Sequence, residues 1–313
     1  EHLRFMVSTR KEIVHKSKQA KQEVTKIPIP GLKGKLEHLK DFASELVRPR
    51  PVDIWFPENY EADSTDRFPV IYMHDGQMIF HHEDSSLAGM DLFWDVDKTI
   101  TKLTNAKKIR PAIVVAVWMS DWAKGARGAE FMPEKAVPSE VWKEMLKDSD
   151  SFATEMGGES ISSDNYLRFF VEELKPFVDN NYRTLTSKND TFIAGSSMGG
   201  LISAYAIAEY PDIFGGAACL STDWSIGDGI VVDWFNKNWP TARGNRVYFD
   251  YGTETFDSLY EPYQLEMDKV MRKYGYLEDK DWVTRRFEGD GHHPKAWRER
   301  FHIPLEFLLG TNS

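Results

Sequence analysis

The protein is a chain of 313 residues, of which 41% are hydrophobic, 28% are charged and 13% are aromatic, with a formal net charge of −10. This composition excludes a disordered chain, because disordered segments are poor in apolar and aromatic residues. The acidic balance disfavours a nucleic-acid-binding protein, since a phosphate backbone would meet a repulsive mean field. The longest apolar runs, such as residues 111–118, fall far short of the ~18 residues that cross a bilayer.

The chain contains one cysteine, Cys219, so neither an intramolecular disulfide nor a cysteine-rich zinc site can form within it. Because Cys219 lies in the apolar run 217–220, we expect a buried and unreactive thiol. Within residues 1–47, the stretch 11–26 is weakly patterned and rich in lysine and glutamine. We interpret residues 1–47 as an N-terminal extension that leads into a peripheral strand, and residues 48–313 as a single folded domain.

From residue 51 onward, short apolar runs alternate with helical periodicity. Strands are predicted at residues 52–56, 69–73, 113–118, 191–194, 216–220, 246–251 and 282–287. Helical patterns occur between them, for example at residues 163–178, 201–210 and 263–271. This alternation predicts an α/β fold with a mostly parallel sheet and helices on both faces. The long segment 119–162 has little periodicity, and we expect it to carry function or to cover a site.

The strongest chemical signal is the sequence GSSMG at residues 195–199, which fits the G-x-S-x-G pattern centred on Ser197. In that pattern a serine occupies a strained turn between a strand and a helix. A predicted strand precedes this turn and a helical pattern follows it, as the motif requires. No lysine follows the glycines, so a phosphate-binding Walker loop is disfavoured. Ser197 is therefore predicted to be a nucleophile.

A serine hydroxyl needs a histidine base, and the histidine needs a carboxylate that holds its tautomer. On α/β sheets with this turn, the acid and the histidine follow the serine in that order. The loop after the last predicted strand offers His292 and His293, whereas His302 falls in the terminal helical pattern and is assigned to packing. The loop after the preceding strand offers Asp257, which is our first choice for the acid, and Glu254 as the alternative.

Ester chemistry also needs backbone N–H groups that stabilise an oxyanion. We expect one from Met198, directly after the serine, and one from Gln77, in the loop that follows the predicted strand 69–73. Gly76 in that loop permits close backbone approach. His81 and His82 stand beside two acidic residues, but adjacent side chains rarely converge on one ion. We therefore predict a solvated loop there and no metal site.

These segments together resemble the esterase D-like α/β-hydrolases. The residues that carry the resemblance are YMHDGQMIF at 72–80, AGSSMGG at 194–200, and GH at 291–292 near a tryptophan at 297. It spans about residues 48–309. The family includes esterases that act on acetylated or feruloylated xylan, S-formylglutathione hydrolases, siderophore esterases and mycolyltransferases. The resemblance implies an α/β-hydrolase fold and makes residues 48–313 the catalytic domain.

The resemblance also implies roles for individual residues. The family nucleophile matches Ser197, and its histidine matches His292 in preference to His293. Its acid matches Asp257, which precedes a small residue and a leucine. The turn that leads to this acid is longer than in some family members, so Glu254 remains open as the acid.

The function implied is a serine carboxylic-ester hydrolase that forms an acyl-enzyme and uses no metal or organic cofactor. Trp122 and Trp224 fall in presumed loops and are candidate platforms for a sugar ring. We therefore expect a carbohydrate esterase that removes acetyl or feruloyl groups. The alternatives are a siderophore esterase, another acyl hydrolase or acyltransferase on the same fold, and, more remotely, an inactive carbohydrate-binding protein.

The expected partner is a small-molecule or oligosaccharide ester, and neither a nucleic acid nor a membrane span is expected. The sequence begins with Glu1 instead of a methionine, and several family members are exported. Both points favour a secreted or periplasmic protein, with the cytoplasm as the alternative.

Overall fold

The computed structural model describes residues 22–27, 29–61, 63–83, 87, 89–120, 126–147 and 160–311. These residues form one nine-stranded sheet with the strand order β1-β2-β3-β5-β4-β6-β7-β8-β9. The strands are β1 (Val24–Thr25), β2 (Lys35–Phe42), β3 (Arg50–Phe56), β4 (Val70–Met73), β5 (Ile113–Val117), β6 (Thr191–Ser196), β7 (Gly216–Leu220), β8 (Arg246–Gly252) and β9 (Trp282–Phe287). All seven predicted strands are present, with ends that differ by at most two residues.

The sheet is parallel from β5 through β4, β6, β7 and β8 to β9, whereas β1, β2 and β3 are antiparallel to their neighbours. Every residue of β5 is buried. A strand that is apolar on both faces needs cover on both sides of the sheet. The prediction of a mostly parallel α/β sheet is confirmed.

The N-terminal part of the described chain contributes to this same sheet. Strands β1 and β2 come from residues before 48, and β2 is hydrogen-bonded to β3. Leu39 and Phe42 of β2 are almost fully buried in the main hydrophobic core. The predicted division between residues 1–47 and residues 48–313 therefore falls between two paired strands.

Helices cover both faces of the sheet. They are α1 (Val96–Asn105), α2 (Ala126–Phe131), α3 (Ser139–Lys147), α4 (Ser163–Arg168), α5 (Lys175–Asn181), α6 (Met198–Glu209), α7 (Ile230–Asn238), α8 (Glu261–Lys273), α9 (Pro294–Arg300) and α10 (His302–Leu309). A π-helical turn, Phe169–Leu174, joins α4 to α5. Helices α1, α9 and α10 share one hydrophobic cluster, and α2 to α8 share the other. No helix in the described part of the chain is long and apolar enough to span a membrane.

Candidate active site

Ser197 occupies a strained turn between β6 and α6. Its backbone has a φ of 60° and a ψ of −124°, a conformation that costs a non-glycine residue about 1–3 kcal/mol. Glycine is required two residues before it, because a Cβ on Gly195 would lie 2.7 Å from the carbonyl oxygen of Gly199. The turn is held in place by the Ser197 amide, which donates to the carbonyl oxygen of Leu220 at 2.9 Å. This is the geometry of a nucleophile elbow.

His292 and Asp257 lie in the loops after β9 and β8, and their Nδ1 and Oδ1 atoms are 2.7 Å apart. The Asp257 side chain is fully buried. Burial raises the pKa of Asp257, but hydrogen bonds from His292, Ser221 and the Gly252 amide outweigh it and hold this pKa below its ordinary value. The carboxylate is therefore charged and accepts Nδ1–H, which leaves Nε2 as the acceptor nitrogen of the neutral ring. A general base needs this tautomer.

The alternative acid and base lie elsewhere. Glu254 is exposed, and its amide donates to the carbonyl oxygen of Asp290 at 3.0 Å. The imidazole of His293 is exposed and caps α9, since its Nδ1 accepts from the Lys295 amide at 3.1 Å. The structure thus brings Asp257, and not Glu254, to His292.

Met198 and Gln77, the expected oxyanion donors, each lie at the start of a helical turn. Met198 is the first residue of α6, and Gln77 belongs to the 3₁₀ turn Gly76–Met78 that follows β4. Amides at the start of a helix precede the first intrahelical donor, so they have no partner within the helix. The turn that carries Gln77 follows a strand adjacent to β6. Both amides therefore belong to neighbouring loops at the carboxyl edge of the sheet.

These two turns are in contact with each other. The amide of His74 donates to the carbonyl oxygen of Ala194 at 3.0 Å. A Cβ on Gly199 would lie 3.5 Å from Asp75 Oδ2 and 3.6 Å from the Cβ of His74. Gln77 is held by its side chain, whose Oε1 accepts from the Met119 amide at 3.2 Å. The turn that would supply the second oxyanion donor therefore packs directly on the start of α6.

Four charged or polar residues beside this site were not singled out as site residues from the sequence. Arg127 pairs with Asp75 and lies 3.5 Å from the carbonyl oxygen of Ser196. Asp223 follows β7; burial raises the pKa of its carboxyl, and the charges of His292 and Arg127 act on it. The Tyr260 hydroxyl lies 3.5 Å from His292 Nδ1. Of these four residues, Asp223 is the one with a local signal in the sequence for a place at the site, since it lies after a predicted parallel strand.

Of the two tryptophans expected to stack on a sugar ring, Trp122 and Trp224, the structure describes Trp224. Trp224 is 1% exposed and packs against Phe235 and Phe249, while its Nε1 donates to Gln264 Oε1 at 2.8 Å. The expectation that Trp224 is a platform for a sugar ring is wrong, because its ring belongs to the hydrophobic core. Trp122 lies outside the described residues.

The segment that follows the turn Gly76–Met78 also differs from expectation. His82 is buried, and its Nε2 lies 3.0 Å from Asp53 Oδ2, so the predicted solvated loop is wrong at this residue. His38 and Trp118 also hydrogen-bond to Asp53, at 2.6 Å and 2.7 Å. Among the described residues, no group of three or more His, Cys, Asp or Glu side chains is arranged to hold a metal ion. These hydrogen bonds to Asp53 instead attach the segment around His82 to β2 and β3.

A comparison with protein families decides the class of this chain. The Esterase family model matches residues 43–302. The chain belongs to the Esterase family. It is a carboxylic-ester hydrolase, and the predicted enzyme class and family resemblance are confirmed.

The esterase also resembles individual proteins. It is 22% identical over 268 residues to the uncharacterized protein YbbA of Bacillus subtilis (strain 168), which covers 84% of this chain and 94% of YbbA. A solved ferulic acid esterase has a TM-score of 0.61 at 18% identity, covering 88% of this chain and 98% of that one. The enterobactin esterase FES from Shigella flexneri has a TM-score of 0.56 at 18% identity, covering 90% of this chain and 60% of that one. These structures share its α/β-hydrolase fold.

Proposed function

We propose that this esterase is a serine hydrolase whose catalytic triad consists of Ser197, His292 and Asp257. The observation that carries the proposal is the 2.7 Å hydrogen bond between His292 Nδ1 and the buried Asp257. It occurs at the sheet edge that also carries the strained turn of Ser197, since the three residues follow the parallel strands β6, β9 and β8. A buried carboxylate is the partner that an imidazole needs to become a cation during proton transfer.

In the proposed reaction, Ser197 Oγ attacks the ester carbonyl carbon while its proton passes to His292 Nε2. The amides of Met198 and Gln77 stabilise the negative charge on the carbonyl oxygen. The tetrahedral intermediate then breaks its bond to the alcohol oxygen, which takes the proton from His292. Water attacks the acyl carbon of the resulting acyl-enzyme and gives one proton to His292. The bond from this carbon to Ser197 Oγ then breaks, which releases the acid, and Ser197 Oγ takes the proton from His292.

We also propose that the substrate is an acetyl or feruloyl ester of a carbohydrate. The likeness in fold to a ferulic acid esterase supports this class. Asp223 and Tyr260, which interact with each other beside His292, offer hydrogen-bonding groups suited to a hydroxyl-bearing alcohol. The competing class is a siderophore ester, since an enterobactin esterase from Shigella flexneri has a similar fold.

The triad is tested by labelling the protein with a fluorophosphonate and locating the adduct by mass spectrometry. We expect one adduct on Ser197 in the wild type and none in Ser197→Ala. Asp257→Asn should lower kcat by about 10⁴-fold, as loss of a triad acid does elsewhere, whereas Glu254→Gln should leave it unchanged. A folded wild-type protein that takes no label would refute the proposal.

The substrate class needs a separate assay. Release of acetate and ferulate from acetylated and feruloylated xylan fragments is compared with hydrolysis of a catecholate siderophore ester and of p-nitrophenyl acetate. Turnover of the xylan esters at a higher kcat/KM than the other substrates supports the carbohydrate class. Preference for the siderophore ester would assign the enzyme to the competing class.

A further inference from the structure

Ser221, the residue directly after β7, lies behind the carboxylate of Asp257. Its Oγ is 2.5 Å from Asp257 Oδ2, 2.9 Å from Trp297 Nε1 and 2.8 Å from Arg300 Nη2. Ser221 is fully buried, and Trp297 and Arg300 are nearly so. Three hydrogen-bonding neighbours therefore surround one hydroxyl group that bulk water does not reach.

The chemistry of these neighbours determines the direction of each hydrogen bond. An indole N–H and a guanidinium N–H can only donate, whereas an ionised carboxylate can only accept. Trp297 and Arg300 therefore occupy the two lone pairs of Ser221 Oγ, and its single proton is directed at Asp257. An ordinary serine hydroxyl rotates to suit its surroundings. The hydroxyl of Ser221 is instead fixed as a donor.

The guanidinium that fixes this hydroxyl is itself firmly held. Arg300 donates to both oxygens of the buried Asp250, at 2.8 Å and 3.1 Å, and to Asp290 at 3.0 Å. The amide of Ser221 donates to Asp250 as well, at 2.9 Å. Asp250 and Asp290 compensate the charge of Arg300. Arg300 lies 3.9 Å from Asp257 and therefore affects this carboxylate largely through the Ser221 hydroxyl.

Asp257 receives different partners on its two oxygens. Oδ2 accepts from Ser221 Oγ and from the Gly252 amide at 2.6 Å, while Oδ1 faces His292 Nδ1. Donors on Oδ2 withdraw negative charge from the side of the carboxylate that faces the imidazole. They thereby limit how strongly the carboxylate attracts a protonated His292.

We propose that Ser221, oriented by Trp297 and Arg300, is a positioning residue that holds Asp257 in place and limits how strongly its carboxylate attracts a protonated His292. The inference rests on the proposed triad. Removal of the Ser221 hydroxyl concentrates charge on Oδ1 and favours the imidazolium. The neutral histidine that acts as base is then available only at higher pH.

Other titratable and charged groups face this pair from several elements. Asp223 faces His292 from the loop after β7, and Arg127 from α2 acts on Asp223. Tyr260 approaches His292 from the residue before α8, at 3.5 Å, and Arg300 approaches Asp257 from α9. Among these groups, Arg300 is the one whose described contacts include the Ser221 hydroxyl, so a changed pH dependence of Ser221→Ala reports the loss of the hydroxyl together with this contact.

The experiment is the pH profile of kcat/KM for p-nitrophenyl acetate in the wild type, Ser221→Ala and Ser203→Ala. Ser203 is the matched control, since it is also a buried serine, whose hydroxyl donates to the Gly199 carbonyl oxygen in α6. We expect Ser221→Ala to lower kcat/KM by ~10–100-fold and to move the acidic limb upward by ~0.5–1 pH unit. Ser203→Ala should keep the wild-type acidic limb.

A second variant covers the case in which Ser221→Ala does not fold. Trp297→Phe keeps an aromatic ring against His292 and removes the N–H that donates to Ser221 together with part of the indole ring. It should move the acidic limb in the same direction by a smaller amount. A folded Ser221→Ala or Trp297→Phe variant with an unshifted acidic limb would overturn the proposal. Activity that survives in Ser197→Ala would instead refute the triad, so the two failures are distinguishable.

Discussion

Arg127 binds both carboxylate oxygens of Asp75 in a buried ion pair, with Nε–Oδ1 and Nη2–Oδ2 distances of 2.8 Å. The two residues come from α2 and from the turn that carries Gln77, and Asp75 has a positive φ of 56°. Because Arg127 also approaches the carbonyl oxygen of Ser196, one side chain connects α2 to both turns of the site. The pair therefore helps to hold the turn that carries Gln77 against the turn that carries Ser197.

We expect Arg127→Lys to lower kcat by ~10–100-fold, because lysine keeps the charge but cannot bind both carboxylate oxygens in a planar fork. The matched control is Arg168→Lys, since Arg168 makes a two-pronged bond to Glu172 on the protein surface. Steady-state kinetics with p-nitrophenyl acetate would check this. Wild-type kcat in a folded Arg127→Lys variant would show that the pair of Arg127 and Asp75 does not support the turn that carries Gln77.

A second buried ion pair anchors the same helix. Glu130 of α2 binds Arg50 of β3 through both oxygens, at 2.6 Å and 2.8 Å, and both side chains are largely buried. Glu130→Gln leaves a buried guanidinium without its counter-charge, so we expect the free energy of unfolding to fall by about 3–5 kcal/mol. Glu172→Gln, which breaks the exposed pair with Arg168, should cost at most about 1 kcal/mol. Urea unfolding of both variants measures the difference, and equal losses would contradict the prediction.

The sequence predicts the sheet and the elbow well because both are encoded locally. Each parallel strand is a short apolar run, and the GSSMG turn requires glycine at position 195, where a Cβ would collide with the backbone of Gly199. The order of acid and histidine after the serine follows from the order of strands along the sheet. What the sequence left open was the acid, since Asp257 and Glu254 belong to the same loop and differ in burial only once the loop is folded.

Features that depend on distant parts of the chain were missed or misread. The structural roles of Arg127 and Glu130 depend on their ion pairs with Asp75 and Arg50, which lie 52 and 80 residues away. Trp224 lies four residues after the end of β7, in a loop position typical of cleft residues, yet Gln264 of α8 pairs with its indole in the core. Long-range pairs of this kind leave no local pattern in the sequence.

The two glycines of the elbow should respond differently to alanine. In Gly195→Ala the new Cβ would lie 2.7 Å from the backbone of Gly199, closer than a Cβ tolerates, whereas in Gly199→Ala the nearest atom is 3.5 Å away. We expect Gly195→Ala to lose stability and at least ~10²-fold in kcat/KM, because the turn must shift. Gly199→Ala should keep the stability of the wild type and a kcat/KM within about twofold of it, since alanine suits a helix. Thermal unfolding and steady-state kinetics would check this, and similar behaviour of the two variants would contradict the steric explanation.

His74 provides a test by pH. Its Nδ1 lies 2.9 Å from the Tyr166 hydroxyl, and burial together with the charge of Arg127 lowers the pKa of His74 to about 3. Above about pH 6.5 the imidazole is neutral in both states, but at lower pH the unfolded chain binds a proton that the folded protein refuses. The free energy of unfolding should therefore fall by up to about 1.4 kcal/mol per pH unit as the pH drops from about 6.5 toward 3.

His74→Asn removes this titration and keeps an amide near the position of Nδ1, so the slope of stability against pH should decrease by up to that amount. The control is His302→Asn, because His302 is exposed. Urea unfolding at about pH 5 and about pH 7 measures the slope for each protein. An unchanged slope in His74→Asn would mean that the folded protein accepts a proton at His74, against the apolar surroundings formed by Phe131 and Phe170.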